Sequence, residues 1–540
     1  MHIAALLPPD ERDRLMIFAK SNEIFPLPAG VSQPFSYYGV HLDESRGKRQ
    51  YTFRLYMPEA DSVSLVSGFA SWEIGKKMTR LAGGVWELCF PCDKSLEGEC
   101  YKYKCSIGGK TVYRTDPFAT REEGQGGFAS VIATGIFAPA PMPSEARDAP
   151  VHLLEVSLAS FLTRRNRFPF DAGGACSYRE LAEKLVIYMK STGYTHLKLL
   201  PRERGDTVSL FAPSPRHGTP EEFAAFVDIL HQNGVRALVS FFCPETPEEA
   251  VLTPSAAAWF LSQYSLDGVY FENASGTAPH PAFKDALSRL ISQYPDRLFF
   301  ADGDYGDALY GRSAEREEAF VSLLTSPPDE RRRALDSLLP LLSEKRALAS
   351  QSKRLTRGGE ASLMESFFGS YEQKFSANRL YQFLLTVANG AKLSFMGQSL
   401  APFRPWREEL LPEWYMADFK LHRAHRRFVR ALNQFYLETP PLYATDRRLS
   451  LHFCDPERLV FALRLTSREG ELLIVCNASD RHAGNYRLPA PFSSYAELFS
   501  SDEESFAGEG YVHRMTLEAR GGHIELDLAP LSAVILQPRL

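Results

Sequence analysis

The chain has 540 residues, with 44% hydrophobic and 24% charged residues and a net charge of −5 at pH 7. This length predicts roughly three domains rather than one core. The slight acidity, with a pI near 6.3, excludes the basic surface of a nucleic-acid-binding protein. No apolar run is long enough to span a membrane or to form a signal peptide, so we expect no membrane partner and a cytoplasmic location.

The first part of the chain is predicted to be a short helical leader followed by a β-sandwich. Residues 1–30 contain a helical pattern that ends before two prolines. Residues 31–137 then alternate strand-like runs with turn-forming residues, as in an immunoglobulin-like sandwich. These runs are YTFRLYMP, DSVSLVSGF, GVWELCFP, CYKYKCSI and KTVYRTDPF. The Pro- and Ala-rich segment 138–150 is predicted to be a linker.

Residues 151–444 alternate apolar strands with amphipathic helices. Ser177 with Glu180 and Thr219 with Glu222 form the sequence pattern of capping boxes at two helix starts. Repeated strand–helix units of this kind predict a parallel sheet, and about eight of them favour a closed (β/α)8 barrel. The predicted strands are HLLEVSL, THLKLLP, VRALVSFF, DGVYFE, RLFFAD, FVSLLT, RALASQ and AKLSFMG. From residue 445 to 540 the strand pattern returns and predicts a second, C-terminal β-sandwich.

The stretch LDGVYFENAS carries the first candidate functional residue. A buried strand here ends in Glu272, and chemistry in a (β/α)8 barrel lies at the carboxyl ends of the strands. The sequence has neither GxGxxG nor GxxxxGK[ST], so no nucleotide cofactor is expected. Four of the eight cysteines lie between residues 89 and 105, but in strand-like contexts, and we predict free thiols and no metal.

The layout of β-module, barrel and terminal β-sandwich resembles that of α-glucan enzymes of glycoside hydrolase family 13, and most closely the glycogen (1,4-α-glucan) branching enzymes. The front module resembles a family 48 carbohydrate-binding module, since SVSLVSGFASWE stands in place of its VGDFNxW motif. The barrel segments that resemble branching enzymes include SYRELAEKLVIYMKSTGYTHLKLLP, YEQKFSANRL and KLSFMGQSLAPFRPW. The resemblance covers residues from about 30 to 540.

The resemblance places Glu272 at the nucleophile position and Asp302 at the acid/base position of a retaining site. In such a site two carboxyl groups stand about 5 to 5.5 Å apart. Each carboxylate here has exchanged identity, because the family has Asp at the first position and Glu at the second. Tyr270 replaces an arginine that orients the nucleophile, and Arg354 replaces the aspartate that stabilises the transition state. A cation at that position has the wrong sign for developing positive charge on the sugar ring.

The remaining family positions are also altered. The DxVxNH strand end reads Ser240 to Glu245, which removes an aspartate and a histidine that contact sugar, and Lys353 precedes Arg354 in the altered SHDE motif. The segment between the third and fourth strands is short where the family has an excursion that forms one wall of the cleft. In the front module Trp72 follows a loop-like Ala-Ser and is a candidate sugar-stacking residue, whereas Trp86 lies in a strand and is expected in the core.

Two functions follow from this pattern. The first is a glucan-binding or regulatory pseudoenzyme that binds glycogen or a starch-like polysaccharide and docks on other enzymes of glycogen metabolism. Glu272 and Asp302 would then be ion-paired, with Arg354 or Lys353 as partners. The alternative is an active branching enzyme, or a related retaining α-glucan transferase or hydrolase, that uses Glu272 and Asp302.

Overall fold

The computed structural model describes residues 24–539 apart from 46, 125–126, 136, 138, 144–148, 163–174, 202–208, 274–275, 277, 304–309, 345–346, 352–360 and 408–409. The helical leader predicted within residues 1–30 therefore lies mostly outside the described residues, as do Lys353 and Arg354. Within the described part of the chain, no helix has the length and apolar character needed to cross a membrane. All eight cysteines are free thiols.

The front module consists of two antiparallel sheets packed face to face. One sheet has the order β1-β2-β6-β5, and the other has the order β4-β3-β7-β10-β9 with β8 added to β7. Inward-facing residues such as Phe53, Leu65 and Trp86 form its core. The strands are β1 Gly39–Asp43, β2 Gln50–Tyr56, β3 Ser62–Ser67, β4 Lys76–Lys77, β5 Thr79–Arg80, β6 Val85–Pro91, β7 Cys100–Ile107, β8 Lys110–Arg114, β9 Arg121–Glu122 and β10 Ser130–Val131.

The central domain is an eight-stranded parallel sheet in the order β16-β15-β14-β13-β12-β11-β18-β17. A parallel bridge between Gly311 and Ala347 joins its two ends, so the sheet is a nearly closed barrel. The strands are β11 His152–Val156, β12 His196–Leu199, β13 Arg236–Phe242, β14 Gly268–Glu272, β15 Leu298–Asp302, β16 Tyr310–Arg312, β17 Leu348–Gln351 and β18 Ala391–Phe395.

Helices surround this barrel. Both predicted capping boxes are present, at the helices Tyr178–Thr192 and Pro220–Gln232. The first of these ends at Gly193, which has the left-handed conformation that glycine adopts without strain. The other helices are Leu158–Phe161, Pro247–Gln263, Ala282–Gln293, Ala314–Thr325, Arg331–Leu341, Leu363–Ser366, Tyr371–Val387 and Lys420–Glu438.

The prediction of a sixth strand at FVSLLT is wrong. These residues form the end of the helix Ala314–Thr325, and the sixth strand is the short segment Tyr310–Arg312. Ser313 caps the helix by accepting a hydrogen bond from the backbone N–H of Arg316. Buried residues recur at helical spacing from there through Leu324, so the apolar run is the inner face of a helix rather than a strand.

The C-terminal domain is all-β, with a six-stranded sheet in the order β19-β20-β21-β26-β23-β24 and a two-stranded sheet of β22 and β25. Three of its strands, β22 to β24, carry too weak an apolar alternation to be predicted from sequence. The strands are β19 Arg448–Asp455, β20 Val460–Ser467, β21 Gly470–Asn477, β22 Ala483–Pro489, β23 Ser494–Ser500, β24 Leu517–Glu518, β25 His523–Leu528 and β26 Ser532–Arg539.

The front module and the barrel share part of one hydrophobic core. The rings of Phe118, from the module, and Phe211, from the barrel, lie 5.2 Å apart. Beside them, Ser209 donates its backbone N–H to Glu122 at 2.9 Å and its hydroxyl to the Pro117 carbonyl at 2.8 Å. The module is therefore packed against the barrel as well as connected to it.

Candidate functional site

Glu272 occupies the position at which activity is expected in such a barrel, the carboxyl end of β14. Gly268 begins this strand, and a Cβ added there would lie 2.3 Å from the carbonyl oxygen of Leu298 on β15, so the close approach requires glycine. The strand then runs through buried residues to Glu272, which is only 4% exposed. A carboxylate at this depth requires compensating partners.

Lys198 supplies that compensation. It lies on β12, in register with Glu155 on the neighbouring β11, and its Nζ bonds the Glu155 carboxylate. The same Nζ lies 2.7 Å from Oε1 of Glu272, two strands away. Because Lys198 and Glu155 are each 1% exposed, this ion pair lies inside the barrel rather than at its surface.

Asp302, at the end of β15, is held by a second set of bonds. The hydroxyl of Tyr270 donates to Oδ1 at 2.6 Å, and the backbone N–H of Asn273 donates to Oδ2 at 2.9 Å. Arg312 on β16 reaches Oδ1 at 3.3 Å and makes a two-pronged ion pair with Glu317 at 2.6 and 2.7 Å.

Tyr270 contacts both the ion pair of Lys198 and the carboxylate of Asp302. Its ring lies under the Lys198 ammonium, with Nζ 3.9 Å from the ring centre. It also stacks on Phe300, which stacks on Tyr310. We call the set Glu155, Lys198, Tyr270, Glu272, Asp302, Arg312 and Glu317 the barrel charge network, and every member is less than 9% exposed.

Burial and charge act in opposite directions on the pKa values of the cations. Burial lowers the pKa of Lys198, but the carboxylates of Glu155 and Glu272 outweigh it and raise the pKa above its ordinary value. For Arg312, the bonds to Glu317 likewise outweigh burial, so its pKa is raised. Burial, reinforced by the Asp302 charge, raises the pKa of Tyr270 well above its ordinary value. Both cations therefore stay charged and Tyr270 stays a hydrogen-bond donor at neutral pH.

Not all of the other predicted site residues lie near the barrel charge network. Ser240 pairs in register with Tyr270, and its buried hydroxyl has no hydrogen-bond partner within the described structure. Glu245 is exposed, in the segment after β13, where its backbone N–H bonds Glu249 at 2.8 Å. Trp72 lies in a turn of the front module, half-buried and outside the network. Trp86 is buried as expected, and its indole N–H bonds the Met57 carbonyl at 2.9 Å.

Sequence reasoning missed Glu155, Lys198, Arg312 and Glu317. For the first two there was a signal: each is a lone charge inside an otherwise apolar strand, in HLLEV and HLKL. A charge in such a strand is buried on either face of a barrel wall and therefore needs a partner. Arg312 had no comparable signal, because its three-residue strand is too short to show a pattern.

The segment after β13 is short in the structure as well. Only residues 243–246 separate β13 from the helix Pro247–Gln263. Thr246 caps this helix by accepting from the backbone N–H of Glu249. No loop of substrate-wall length can therefore stand at this point of the barrel rim.

Among the described residues, no three His, Cys, Asp or Glu side chains lie together in a way that could hold a metal ion. A groove of about 310 Å³ lies in the C-terminal domain, between β23 and the segment that contains His513.

The comparisons with known proteins agree with this architecture. The model for Carbohydrate-binding module 48 (Isoamylase N-terminal domain) matches residues 37–119. The catalytic module of SpuA, a pneumococcal glycogen-degrading virulence factor, superposes with a TM-score of 0.73 over 99% of this chain and 100% of that chain, at 14% identity. A pullulanase from Anoxybacillus sp. LM18-11 complexed with maltotetraose also has a TM-score of 0.73, over 96% and 88%, at 14% identity. The chain thus shares the barrel fold of these proteins, and its front module is similar to carbohydrate-binding module 48.

Branching enzymes are among the sequence relatives of this chain. It is 26% identical to the 1,4-alpha-glucan branching enzyme GlgB of Bacillus caldolyticus, over 94% of this chain and 90% of the relative. It is also 26% identical to GlgB of Pseudomonas aeruginosa, over 97% and 84%. The first alignment is 611 positions long, so the relative has segments that this 540-residue chain lacks. The chain is therefore similar to branching enzymes over nearly all of its length, as the sequence motifs indicated.

Proposed function

We propose that this protein is an α-glucan-binding homologue of branching enzymes whose barrel does not catalyse glucan transfer. The observation that carries the proposal is the ion pair between Lys198 and Glu272, 2.7 Å long, with Glu272 only 4% exposed. A nucleophile must reach the anomeric carbon of a sugar ring. Here the carboxylate at the nucleophile position is directed to a lysine inside the barrel wall.

Asp302, the carboxylate at the acid/base position, is also held by hydrogen bonds to other residues. A general acid must offer a proton to the glycosidic oxygen. Asp302 instead accepts bonds from Tyr270, Arg312 and a backbone N–H, and these bonds occupy both of its oxygens. Arg354 at the position of the transition-state aspartate, together with the short segment 243–246, adds to the argument. The carboxylates at the two catalytic positions are, in our proposal, structural charges.

The alternative, an active α-glucan transferase, is favoured by one observation. Glu272 and Asp302 stand at the carboxyl ends of adjacent strands, β14 and β15, where the family has its nucleophile and its acid/base. Activity would require Lys198 to release Glu272 when a glucan binds.

The two proposals are separated by incubating purified protein with amylose and following the iodine-complex spectrum and the chain-length distribution. We expect no change with this protein and a clear change with a branching-enzyme relative as positive control. Turnover that disappears in Glu272→Gln and persists in the matched surface variant Glu245→Gln would overturn the pseudoenzyme proposal. Turnover unaffected by Glu272→Gln would be assigned to a contaminant and would leave the site inactive.

The front module supplies the glucan-binding part of the proposal. It is the segment that matches module 48, and Trp72, half-buried in a turn of this module, is an aromatic residue of the kind that stacks on sugar rings. We further propose that the protein binds glycogen or a starch-like polymer in the cytoplasm, beside enzymes of glycogen metabolism.

A further inference from the structure

A second buried group of charges lies at the opposite end of the barrel, around the C-terminus of the helix Tyr371–Val387. Three consecutive backbone carbonyls there each accept a hydrogen bond from a different cation. Arg447 bonds the carbonyl of Val387, Lys392 that of Ala388 and Arg316 that of Asn389, the last at 2.9 Å. Since consecutive carbonyls are only a few ångströms apart, this places the three cationic groups close together. We call Arg316, Lys392 and Arg447 the cation cluster.

The cation cluster is almost completely buried. Arg316 is 1% exposed, Lys392 3% and Arg447 8%. None of the three forms an ion pair with a carboxylate in the part of the chain that the structure describes. The carboxylate whose charge acts on Arg316, that of Glu344, belongs to an exposed residue.

The helix end compensates only part of this charge. A helix C-terminus carries the equivalent of about half a negative charge, against three positive ones. The cluster is also short of acceptors: Nε and Nη1 of Arg316 and Nε of Arg447 are buried and have no hydrogen-bond partner among the described residues. The ring of His152, near Lys392, also has a buried Nδ1 that no group in the described part of the chain bonds. Buried donors of this kind are costly unless satisfied, and buried charges are rarely left unpaired.

We propose that the cation cluster binds one small monovalent anion of the size of chloride. A monatomic anion can accept from several N–H groups at once. Since all three side chains are almost completely buried, a small anion is favoured over a phosphate or a carboxylate ligand. An anion here would offset the mutual repulsion of three cations and satisfy the free guanidinium donors. The site is separate from the barrel charge network and does not depend on whether the barrel is catalytic.

The electrostatic balance of the cluster is consistent with this proposal. Burial, together with the charges of Arg447 and Arg316, lowers the pKa of Lys392 well below its ordinary value. Burial also lowers the pKa of Arg316 and of Arg447 to about 10. A bound anion would keep all three side chains protonated. Without an anion, the repulsion among them is reduced most easily when Lys392 is neutral.

The direct test is crystallographic. Crystals of the full-length protein soaked in sodium bromide should show an anomalous peak within hydrogen-bonding reach of Arg316 and Lys392. Bromide peaks only at the protein surface, or a site at the cluster that remains free of anomalous signal, would overturn the proposal and indicate that Lys392 is neutral.

A solution measurement supports or contradicts this result independently. At constant ionic strength, Tm should rise with the logarithm of chloride or bromide concentration and should not rise when gluconate replaces the halide. Lys392→Met should weaken this halide response, so that on the order of ten times more halide is required for the same rise.

The matched control is Arg331→Met, because Arg331 is an equally buried arginine that bonds the carbonyls of Ser326 and Ala478 outside the cluster. Loss of the response in both variants, or its persistence in both, would contradict a site at the cluster. If Lys392→Met does not fold, the bromide map of the unmodified protein decides.

Discussion

The ammonium of Lys198 lies 2.7 Å from the carboxylate of Glu272 and also bonds Glu155, so one lysine joins three strands of the barrel wall. In the branching-enzyme pattern the residue at the position of Glu272 attacks the sugar. Here it completes a buried ion pair. This single contact changes the expected effect of substitutions in the site from a loss of activity to a loss of stability.

Replacing Lys198 by methionine should therefore destabilise the fold. The change leaves two carboxylates buried without their cation, and breaking a buried pair from one side costs about 3–5 kcal/mol. Urea unfolding followed by circular dichroism measures the difference. Lys190→Met, on the exposed face of the helix Tyr178–Thr192, is the control and should change little. Equal effects of the two variants would show that the Lys198 pair contributes nothing to stability.

The double variant Lys198→Met/Glu272→Gln should cost less than the sum of its two single changes. Once a neutral glutamine replaces Glu272, that position no longer presents a stranded charge when the lysine is absent, so the two substitutions are coupled. A double-mutant cycle from the same unfolding experiment gives the coupling energy. Strict additivity would mean that the two side chains do not interact in solution.

Removal of the Tyr270 hydroxyl should weaken the support of Asp302. In Tyr270→Phe the carboxylate keeps its bonds to Arg312 and Asn273 but loses its closest donor, at an expected cost of about 1–3 kcal/mol. Tyr415→Phe removes an exposed hydroxyl that also donates to a carboxylate, that of Glu413, and should be nearly neutral. A neutral Tyr270→Phe would argue that the tyrosine hydroxyl contributes nothing to holding Asp302.

Stability should fall as the pH drops below about 6.5, because of two buried histidines. Burial lowers the pKa of both His152 and His425 to about 3. The unfolded chain binds their protons near the ordinary histidine pKa of about 6.5, so the unfolded state gains protons first and stability is lost on acidification. Asp116 and His231 act in the opposite direction, since burial raises the pKa of Asp116 to about 6 and the bond to Asp267 outweighs burial and raises the pKa of His231. Burial lowers the pKa of His41 and His217 as well, so more groups lose stability on acidification than gain it.

The variant His425→Gln isolates one of these groups. Between about pH 6 and pH 4 its unfolding free energy should depend on pH less steeply than that of the unmodified chain, by up to about 1.4 kcal/mol per pH unit. Parallel pH profiles would mean that His425 is protonated in the folded protein.

Glucan binding should depend on Trp72. In a native gel containing glycogen the unmodified protein should be retarded, and Trp72→Ala should migrate as it does without glycogen. Ile74→Ala alters an apolar residue of the same turn that is 78% exposed and should keep the retardation. If the unmodified protein is not retarded, the glucan-binding proposal fails; if both variants lose retardation, stacking by the tryptophan is not its cause.

Much of the fold followed from local patterns, and the site followed only in part. The strand ending at Glu272 was predictable because its apolar run, its glycine and its terminal carboxylate are adjacent in sequence. The partners of that carboxylate were not, since Lys198 precedes it by 74 residues and reaches it only across a closed barrel. The predicted partners Lys353 and Arg354 lie outside the described residues. Those observed among the described residues are Lys198 and Arg312.

The contact of Phe118 with Phe211 has a consequence for how bound polysaccharide would meet the rest of the molecule. A binding module on a free tether raises the local concentration of its ligand by an amount that linker length controls. Here the module packs against the barrel through a shared core, so the turn containing Trp72 is not carried on a free tether. A glucan chain held by that turn would therefore lie along one face of the protein. Only partner proteins bound at that face would contact the same glucan chain.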